Sequence, residues 1–439
     1  MKKIFFLFLA VLFFTNAYPQ KKWSLEECIN YAYENNLQIK RQELNVQYNK
    51  NNYSQSYFNI LPNLNGSLNH GYSSGKYTFQ GDLYENNAWS GSAQLNSRLT
   101  LFSGLQTLNE IKQKKYLFLQ SQSDLMTRKN IVSIELANGY LQVLFSKELL
   151  EVAKNKLEVT SMQSERTKKL LDVGNVAQGE YLQIKAQEAN DKTSLINTQN
   201  SLDIAVLNLT QLLDLDSSGG FDIVVPQQIE IELISPLETV EEIYAKALEN
   251  MPQIKSAEYA LKSSEKQLAI TRGMASPSIG LNSGISSEYK KDIDGPEAAP
   301  YFDQLKDNNM KHISVGMTVP IFNQLQVKNS ISNAKLNMED YKVQLDQTKM
   351  ALYKEVQQAH ADAKAAREKY YSSVEAVNYN EEAFKYTSQK LEVGLVNSVD
   401  YNIAQNNLIA AKSSMLQAKY EYIFKLKILD LYMGNPIVL

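Results

Sequence analysis

The sequence predicts an α+β membrane protein in which each chain contributes four β-strands and two very long helical hairpins. Three observations predict this class: a tandem duplication, two long stretches without proline, and four short runs in which apolar and polar residues alternate. An internal duplication is typical of two copies of one structural unit rather than of two unrelated domains. We therefore expect a pseudo-symmetric chain.

The duplication is clearest in a motif that occurs twice with a spacing of 220 residues. It reads LDVGNV at residues 171–176 and LEVGLV at residues 391–396, and an acidic residue followed by tyrosine comes shortly after each. Nearer the start of each copy, Pro62 corresponds to Pro277 at a spacing of 215. The sequence thus predicts a first repeat (helix, two strands, long helical hairpin), a connecting segment and a second repeat, at residues 21–215, 216–238 and 239–435.

Residues 1–20 have the features of a secretory signal peptide. Lys2 and Lys3 precede an apolar run, Ile4–Phe14, and small or polar residues follow it. The run has 11 residues, fewer than the ~20 that a helix needs to cross a bilayer. We expect residues 1–20 to be removed on export, with the cleavage site left open between Ala17 and Gln20.

The composition excludes several classes of function. The chain has one cysteine and three scattered histidines, so we expect no disulfide, no metal site and no cofactor. Removing Lys2 and Lys3 changes the formal net charge from −3 to −5, which argues against a nucleic-acid partner. Because neither a phosphate-binding glycine loop nor a nucleophile motif is found, we expect no catalytic residues and no enzymatic activity.

The long helices are predicted from stretches that lack helix breakers. Residues 105–171 contain no proline and a single glycine, Gly139, and would form a helix ~100 Å long at ~1.5 Å per residue. Their counterpart at 325–391 contains neither proline nor glycine, and its apolar residues recur in the steps of a coiled coil. Each stretch ends at a glycine, Gly174 or Gly394, after which a helical pattern resumes. One helix of intermediate length is predicted to open each copy, at 25–60 and 239–275.

Four runs near residues 62–73, 89–101, 278–286 and 313–321 alternate with period two. Each has roughly the length of a tilted membrane strand, ~9–11 residues. The same alternation occurs in the half-buried sheet of a soluble protein. However, no helix has a broad apolar face free to cover such a sheet, and the signal peptide directs the chain out of the cytoplasm. We therefore expect one face to contact lipid, through Leu64, Leu68, Trp89, Leu95, Leu99, Leu281, Val315 and Val319.

Four strands cannot form a closed barrel alone. A sheet in lipid must have no open edge, because each unpaired backbone group in hydrocarbon costs several kcal/mol. Two chains would give eight strands, and three would give twelve around a wider interior. The polar residues on the other face of the strands favour an interior that contains water. The connections 75–86 and 290–310 are expected to be loops outside the cell.

Together, these features resemble the TolC-like outer-membrane efflux family. The resemblance implies a homotrimer: a twelve-stranded β-barrel in outer-membrane lipid, continued by a periplasmic tunnel of coiled-coil helices. It implies a passive exit duct, gated at its periplasmic tip, of a tripartite efflux pump or a type I secretion system in a Gram-negative cell. The partners would be a periplasmic adaptor (membrane fusion) protein and an inner-membrane transporter of the RND, ABC or MFS type. The exported substrate and the particular partners are left open.

The resemblance also places the narrowest point of the duct where the long helices turn. Asp400 matches a family position whose acid faces the lumen, and Glu180 is its counterpart in the first copy. Three copies of Asp400 would form a ring that binds cations, although an acid at a helix start also simply favours the helix dipole, and Ile403 replaces a second acid found in many relatives. The turns are expected to expose apolar residues that dock the adaptor or pack the helix ends, namely Leu171, Gly174, Val176, Leu391, Gly394 and Val396.

The alternative interpretation is a soluble periplasmic coiled-coil adaptor or scaffold protein. The two interpretations differ in the four alternating runs, because a soluble protein would have to bury Trp89, Leu95 and Val315 within itself. Cell fractionation separates them: an adaptor would be released with the periplasm, whereas a duct would stay in the outer membrane until detergent is added.

Overall fold

The computed structural model describes residues 22–215, 219–226, 237–293, 295–393 and 395–438. The predicted signal peptide, Gly394 and most of the predicted connecting segment lie outside these residues. The elements are, in chain order, β1 (Lys22–Trp23), α1 (Leu25–Asn35), α2 (Leu37–Phe58), β2 (Asn63–Phe79), β3 (Asp82–Ser103), α3 (Gln106–Asp172), α4 (Gln178–Leu212), β4 (Asp222–Ile223), α5 (Val240–Asn250), α6 (Pro252–Gly273), β5 (Ser278–Asp292), α7 (Tyr301–Asp307), β6 (Asn309–Thr318), α8 (Gln326–Glu392) and α9 (Ser398–Tyr432).

The main helices have the same lengths in the two halves of the chain. Helices α1, α2, α3 and α4 have 11, 22, 67 and 35 residues, and α5, α6, α8 and α9 repeat these lengths. The two proline-free stretches are thus single helices, α3 and α8, as the sequence predicts. None of the described helices combines the length and the apolar composition that crossing a bilayer requires.

Each copy opens with two helices, and the prediction of one helix at 25–60 and at 239–275 was wrong. In the first copy the chain breaks at Asn36, whose side-chain oxygen accepts hydrogen bonds from the N–H groups of Gln38 (3.0 Å) and Ile39 (3.3 Å) and so caps α2. In the second copy Met251 is extended and Pro252 starts α6, where the missing N–H of proline costs nothing. The apolar periodicity continues through both breaks, so periodicity alone did not reveal them.

The four predicted strands form one antiparallel sheet with the order β2-β3-β5-β6. With 17, 22 and 15 residues, β2, β3 and β5 are longer than predicted. The fourth predicted run, 313–321, was shifted: β6 starts earlier, at Asn309, and ends at Thr318. Residues 75–86 are not a loop: β2 and β3 continue to a two-residue turn at Gln80 and Gly81, whose φ angles of +52° and +97° are those of a tight hairpin turn. The 290–310 segment contains the end of β5, α7 and the start of β6.

The strand register collects the apolar side chains on one side of the sheet, here called the apolar face. Leu99 lies opposite Leu281, which lies opposite Val315, and Leu95 lies opposite Ile285. The register places seven of the eight predicted lipid-contacting residues on this face, and Val319 follows the end of β6. A β-bulge between Thr100 and Phe102 brings Phe102, and not Leu101, opposite Ile279 on this face.

The apolar face and the two outer strands of the sheet lack partners in a single chain, as far as the structure describes it. Leu64, Leu68 and Val315 on the apolar face are 67, 71 and 65% exposed, so the described residues leave most of this surface uncovered. Strands β2 and β6 are the outer strands, and within the described part of the chain neither pairs with a further strand. The backbone groups on both edges therefore have hydrogen-bonding capacity to spare.

The described residues divide into two compact units. One comprises residues 44–123 and 255–347 and contains this sheet; the other comprises the described residues before 44, between 124 and 254, and from 348 on. The second unit is helical and has an apolar core that includes the fully buried Leu136, Tyr140 and Leu209. Tyr140 directs its hydroxyl group at the carbonyl oxygens of Val224 (2.7 Å) and Trp23 (3.1 Å), next to the short parallel pair β1–β4. The described part of the connecting segment thus packs against α3, and Ile223 is completely buried there.

Candidate functional site

The turn between α3 and α4 is built by a glycine in the left-handed conformation. Gly174 has a φ of +81°, and its N–H donates to the carbonyl oxygen of Leu171 at 2.9 Å. The N–H of Asn175 donates to the carbonyl oxygen of Leu170 at 2.8 Å, which completes a Schellman helix end. In the second copy the N–H of Leu395 makes the equivalent bond to Lys390 at 2.8 Å. Gly394 itself lies outside the described residues.

The apolar residues exposed at the two turns differ from those predicted. Val176, Val396, Leu171 and Leu391 are half-buried. Instead, Val173, Val393 and Leu395 are 69, 69 and 74% exposed. Residues beside the capping position lie at the outermost point of the turn, whereas the chain is already returning to the hairpin two residues later. Each turn nevertheless presents a small apolar surface.

Asp400 lies in the first turn of α9, and its carboxylate is exposed. The Asp400 backbone N–H donates to the Asn397 side-chain oxygen at 3.0 Å, so Asn397 caps the helix and the Asp400 carboxylate is not needed for this role. No described basic residue forms an ion pair with Asp400. Glu180 has the equivalent place in α4 and is half-buried, but the residue that caps this helix, Ala177, has no side chain that can accept a hydrogen bond. Both carboxylates lie where the helix dipole favours negative charge.

The first hairpin contains a buried ion pair that sequence reasoning missed. Asp191 on α4 is 2% exposed, and its carboxylate lies 2.9 Å from the Lys156 Nζ atom of α3. Thr160 Oγ1 and Gln187 Nε2 each donate to the same carboxylate at 2.8 Å. Lys156 Nζ also donates to Asn406 Oδ1 on α9 at 2.8 Å, so it links the first hairpin to the second.

The second hairpin is held by ion pairs that are more accessible to solvent. Lys425 on α9 lies 2.7 Å from Asp362 on α8, and its hydrogen bond lowers the pKa of that carboxyl. Nearer the turn, Phe384 and Tyr401 pack with their ring centres 5.2 Å apart, and burial raises the pKa of the Tyr401 hydroxyl. The second copy has no counterpart of the Lys156–Asp191 ion pair, because the corresponding residues, 220 positions later, are Ala376 and Ala411. The two hairpins are therefore stabilised by different interactions.

Comparison with known proteins identifies the class to which this arrangement belongs. The chain superposes on the Campylobacter jejuni CmeC outer membrane channel with a TM-score of 0.78 at 17% sequence identity, over 93% of this chain and 85% of that one. Its sequence is 22% identical to the outer membrane efflux protein BepC of Brucella suis biovar 1 (strain 1330), over 89% of this chain and 81% of BepC. It is 23% identical to the cation efflux system protein CusC of Escherichia coli O157:H7, over 89% and 82% of the two chains.

The fold is thus that of outer-membrane efflux channels. The family model described as outer membrane efflux protein matches twice, at residues 28–214 and 243–435. The chain belongs to this family, and its location is the outer membrane. This assignment favours the efflux interpretation over that of a soluble adaptor.

Proposed function

We propose that three copies of this chain form a twelve-stranded barrel in the outer membrane, which continues into a periplasmic tunnel of α-helices. The observation that carries this proposal is the four-stranded sheet, whose two edges and most of whose apolar face are left without a partner by the part of the chain that the structure describes. In lipid, both edges must pair with another copy, because the bilayer offers no water to the backbone groups. The apolar face then contacts lipid through Leu64, Leu68, Trp89, Leu95, Leu99, Leu281 and Val315, with Val319 just beyond β6.

The choice of three copies follows from the polar face of the sheet. Eight strands enclose an interior just wide enough for side chains, whereas twelve leave room for water. The residues opposite the apolar face are mostly asparagine, serine, glutamine and glycine, which suit contact with water. In a trimer the apolar face can therefore contact lipid while the polar face contacts water in the interior.

In this assembly the protein acts as a passive exit duct of a tripartite efflux pump or a type I secretion system. The Gly174 turn and its counterpart at Gly394 form the periplasmic tip, where the half-buried Leu171, Val176, Leu391 and Val396 support the exposed Val173, Val393 and Leu395. Such small apolar surfaces suit docking of a periplasmic adaptor protein, which connects the duct to an inner-membrane transporter. Opening of the tip requires neighbouring hairpins to slide apart.

Native mass spectrometry of the detergent-extracted protein tests the assembly. The expected result is three chains per particle, together with a conducting pore after reconstitution in a planar bilayer. A particle of two chains, or a monomer that stays in solution without detergent, would contradict the proposed barrel.

Asp400 and Glu180 are the proposed charged lining of the tip. We expect Asp400→Ala to reduce block by multivalent cations by roughly tenfold in single-channel recordings, because three carboxylates no longer converge. Since Asn397 provides the helix cap, the substitution leaves the start of α9 intact. Glu180→Ala is the matched control and should have the smaller effect. Unchanged block in Asp400→Ala would remove this residue from the pore.

A further inference from the structure

The polar face of the sheet carries a fixed positive charge that is held in place. Arg98 on β3, Asn282 on β5 and Ser314 on β6 form one row across the sheet, according to the strand register. The Arg98 Nε–H donates to the Asn282 side-chain oxygen at 2.9 Å, which holds the guanidinium group beside Asn282 on β5. This bond uses one of the five N–H groups of the side chain.

The next row brings two further polar side chains together. It consists of Asn96, Gly284 and His312. A Cβ atom placed on Gly284 would lie 2.6 Å from Asn96 Oδ1 and 2.6 Å from the His312 Cε1 atom. The two side chains therefore converge over the glycine, and any larger residue at position 284 would separate them.

This part of the polar face has no negative charge to offset Arg98. Over residues 63–73, 90–100, 278–286 and 310–318, Arg98 and His312 are the only residues on this face that carry or can gain a charge. Within the described part of the chain, no carboxylate forms an ion pair with Arg98. The nearest acid on the same face is Glu288, two residues beyond this stretch of β5. Rings of arginine side chains are a means by which pores favour anions.

We propose that Arg98, with His312 and Asn96, forms an anion-binding band in the interior of the barrel, suited to chloride and to small solutes that carry sulfonate or phosphate groups. This inference rests on the proposed function, in which the polar face lines the water-filled interior and three chains each contribute one Arg98. The band differs from the tip, where Asp400 contributes negative charge. The duct would therefore favour anions inside the barrel and cations at the tip.

Thiol modification measures the local potential at this band directly. Ser314→Cys places a nearly isosteric thiol in the row of Arg98, about 5 Å (one strand spacing) from Asn282. The native Cys28 is completely buried, so the unsubstituted protein gives the background. The reaction rates with an anionic methanethiosulfonate (sulfonatoethyl) and a cationic one (trimethylammonioethyl) are compared on the reconstituted trimer. The backbones of Arg98 and Ser314 are two strand spacings apart, about 10 Å. We expect Arg98→Gln to lower the anionic-to-cationic rate ratio about fivefold, since a unit charge at about this distance changes the local concentrations of the two reagents in opposite directions.

Lys311→Gln in the same Ser314→Cys background is the matched control. Like Arg98→Gln it removes one positive charge, and it lies on β6, the strand that carries the Ser314→Cys thiol. However, Lys311 lies opposite Ile285 on the apolar face, so the rate ratio should stay unchanged. An unchanged ratio in Arg98→Gln would overturn the anion band while leaving the duct intact. If neither reagent modifies Ser314→Cys in the folded trimer, the polar face is not in water, and the assignment of the two faces under the proposed function fails as well.

Discussion

Replacing Lys156 with alanine is expected to destabilise the first hairpin by about 3 kcal/mol, because it leaves the Asp191 carboxylate buried without its counter-ion. Thr160 and Gln187 still donate to this carboxylate, but neutral hydrogen bonds do not offset the cost of burying a charge. The measurement is hydrogen–deuterium exchange of peptides from α4. A loss of about 3 kcal/mol corresponds to exchange that is roughly a hundredfold faster.

The double variant Lys156→Ala with Asp191→Ala decides whether the buried charge is the cause. It gives the first copy the residues that the second copy has at these positions, Ala376 and Ala411, and α8 and α9 are helical there without an ion pair between these two residues. We expect it to recover all but about 1 kcal/mol of the loss. Lys154→Ala, which removes an exposed partner of Glu151 on the same helix, should leave exchange unchanged. A double variant as unstable as the single variant would show that packing, and not charge, is decisive.

Substitution of Gly104 with alanine is expected to destabilise the junction of β3 and α3 by about 3 kcal/mol and to reduce the yield of the proposed trimer. A Cβ atom at this position would lie 2.6 Å from the Ser276 Cβ atom and would also overlap the carbonyl oxygen of Gly273. The contact is reciprocal, since a Cβ atom on Gly273 would lie 2.5 Å from the carbonyl oxygen of Gly104. The yield of detergent-stable trimer and its thermal unfolding give the measurement.

The second copy shows that close contact, and not backbone conformation alone, makes Gly104 necessary. Gln324 occupies the corresponding position with a φ of +53°, close to the +62° of Gly104, so a side chain is accepted there in the same conformation. Gly174→Ala is the matched control, because its φ is +81° but no atom lies within 4 Å of the added Cβ. It should cost about 1 kcal/mol. Equal losses at positions 104 and 174 would contradict the contact explanation.

The long helices and the sheet could be predicted from the sequence because their signals are local. The absence of proline and glycine defines the 67-residue helices α3 and α8, and alternation defines the strands. The break at Asn36 could not be predicted in this way, because it is stabilised by a tertiary contact: the Asn36 side chain also donates to the carbonyl oxygen of Leu212 at 3.3 Å. The strand ends were underestimated because Lys76, Asn87 and other polar residues replace the apolar pattern there.

The candidate sites were predicted less completely than the fold. The repeated motif correctly predicted the position of the turn at Gly174 and the place of Asp400 shortly after the corresponding turn of the second copy. The partners of Asp191 and Arg98, by contrast, are set by helix packing and strand register. Lys156 and Asp191 lie 35 positions apart on two helices, and nothing local distinguishes them from the many charged residues exposed to solvent. The one sequence signal for this ion pair is that the second copy has alanines, Ala376 and Ala411, in place of Lys156 and Asp191. This signal is visible only when the two copies are compared.

The pairing of β3 with β5 also constrains the order in which the molecule can be made. Leu95 and Ile285 are neighbours in this ladder, although most of the first copy separates them along the chain. Contacts between such distant residues form late, since a large loop must close before any bond is gained. During export, the β2–β3 hairpin must therefore wait with exposed apolar side chains until the second hairpin arrives. Protection against aggregation in that interval is a requirement that this topology places on biogenesis.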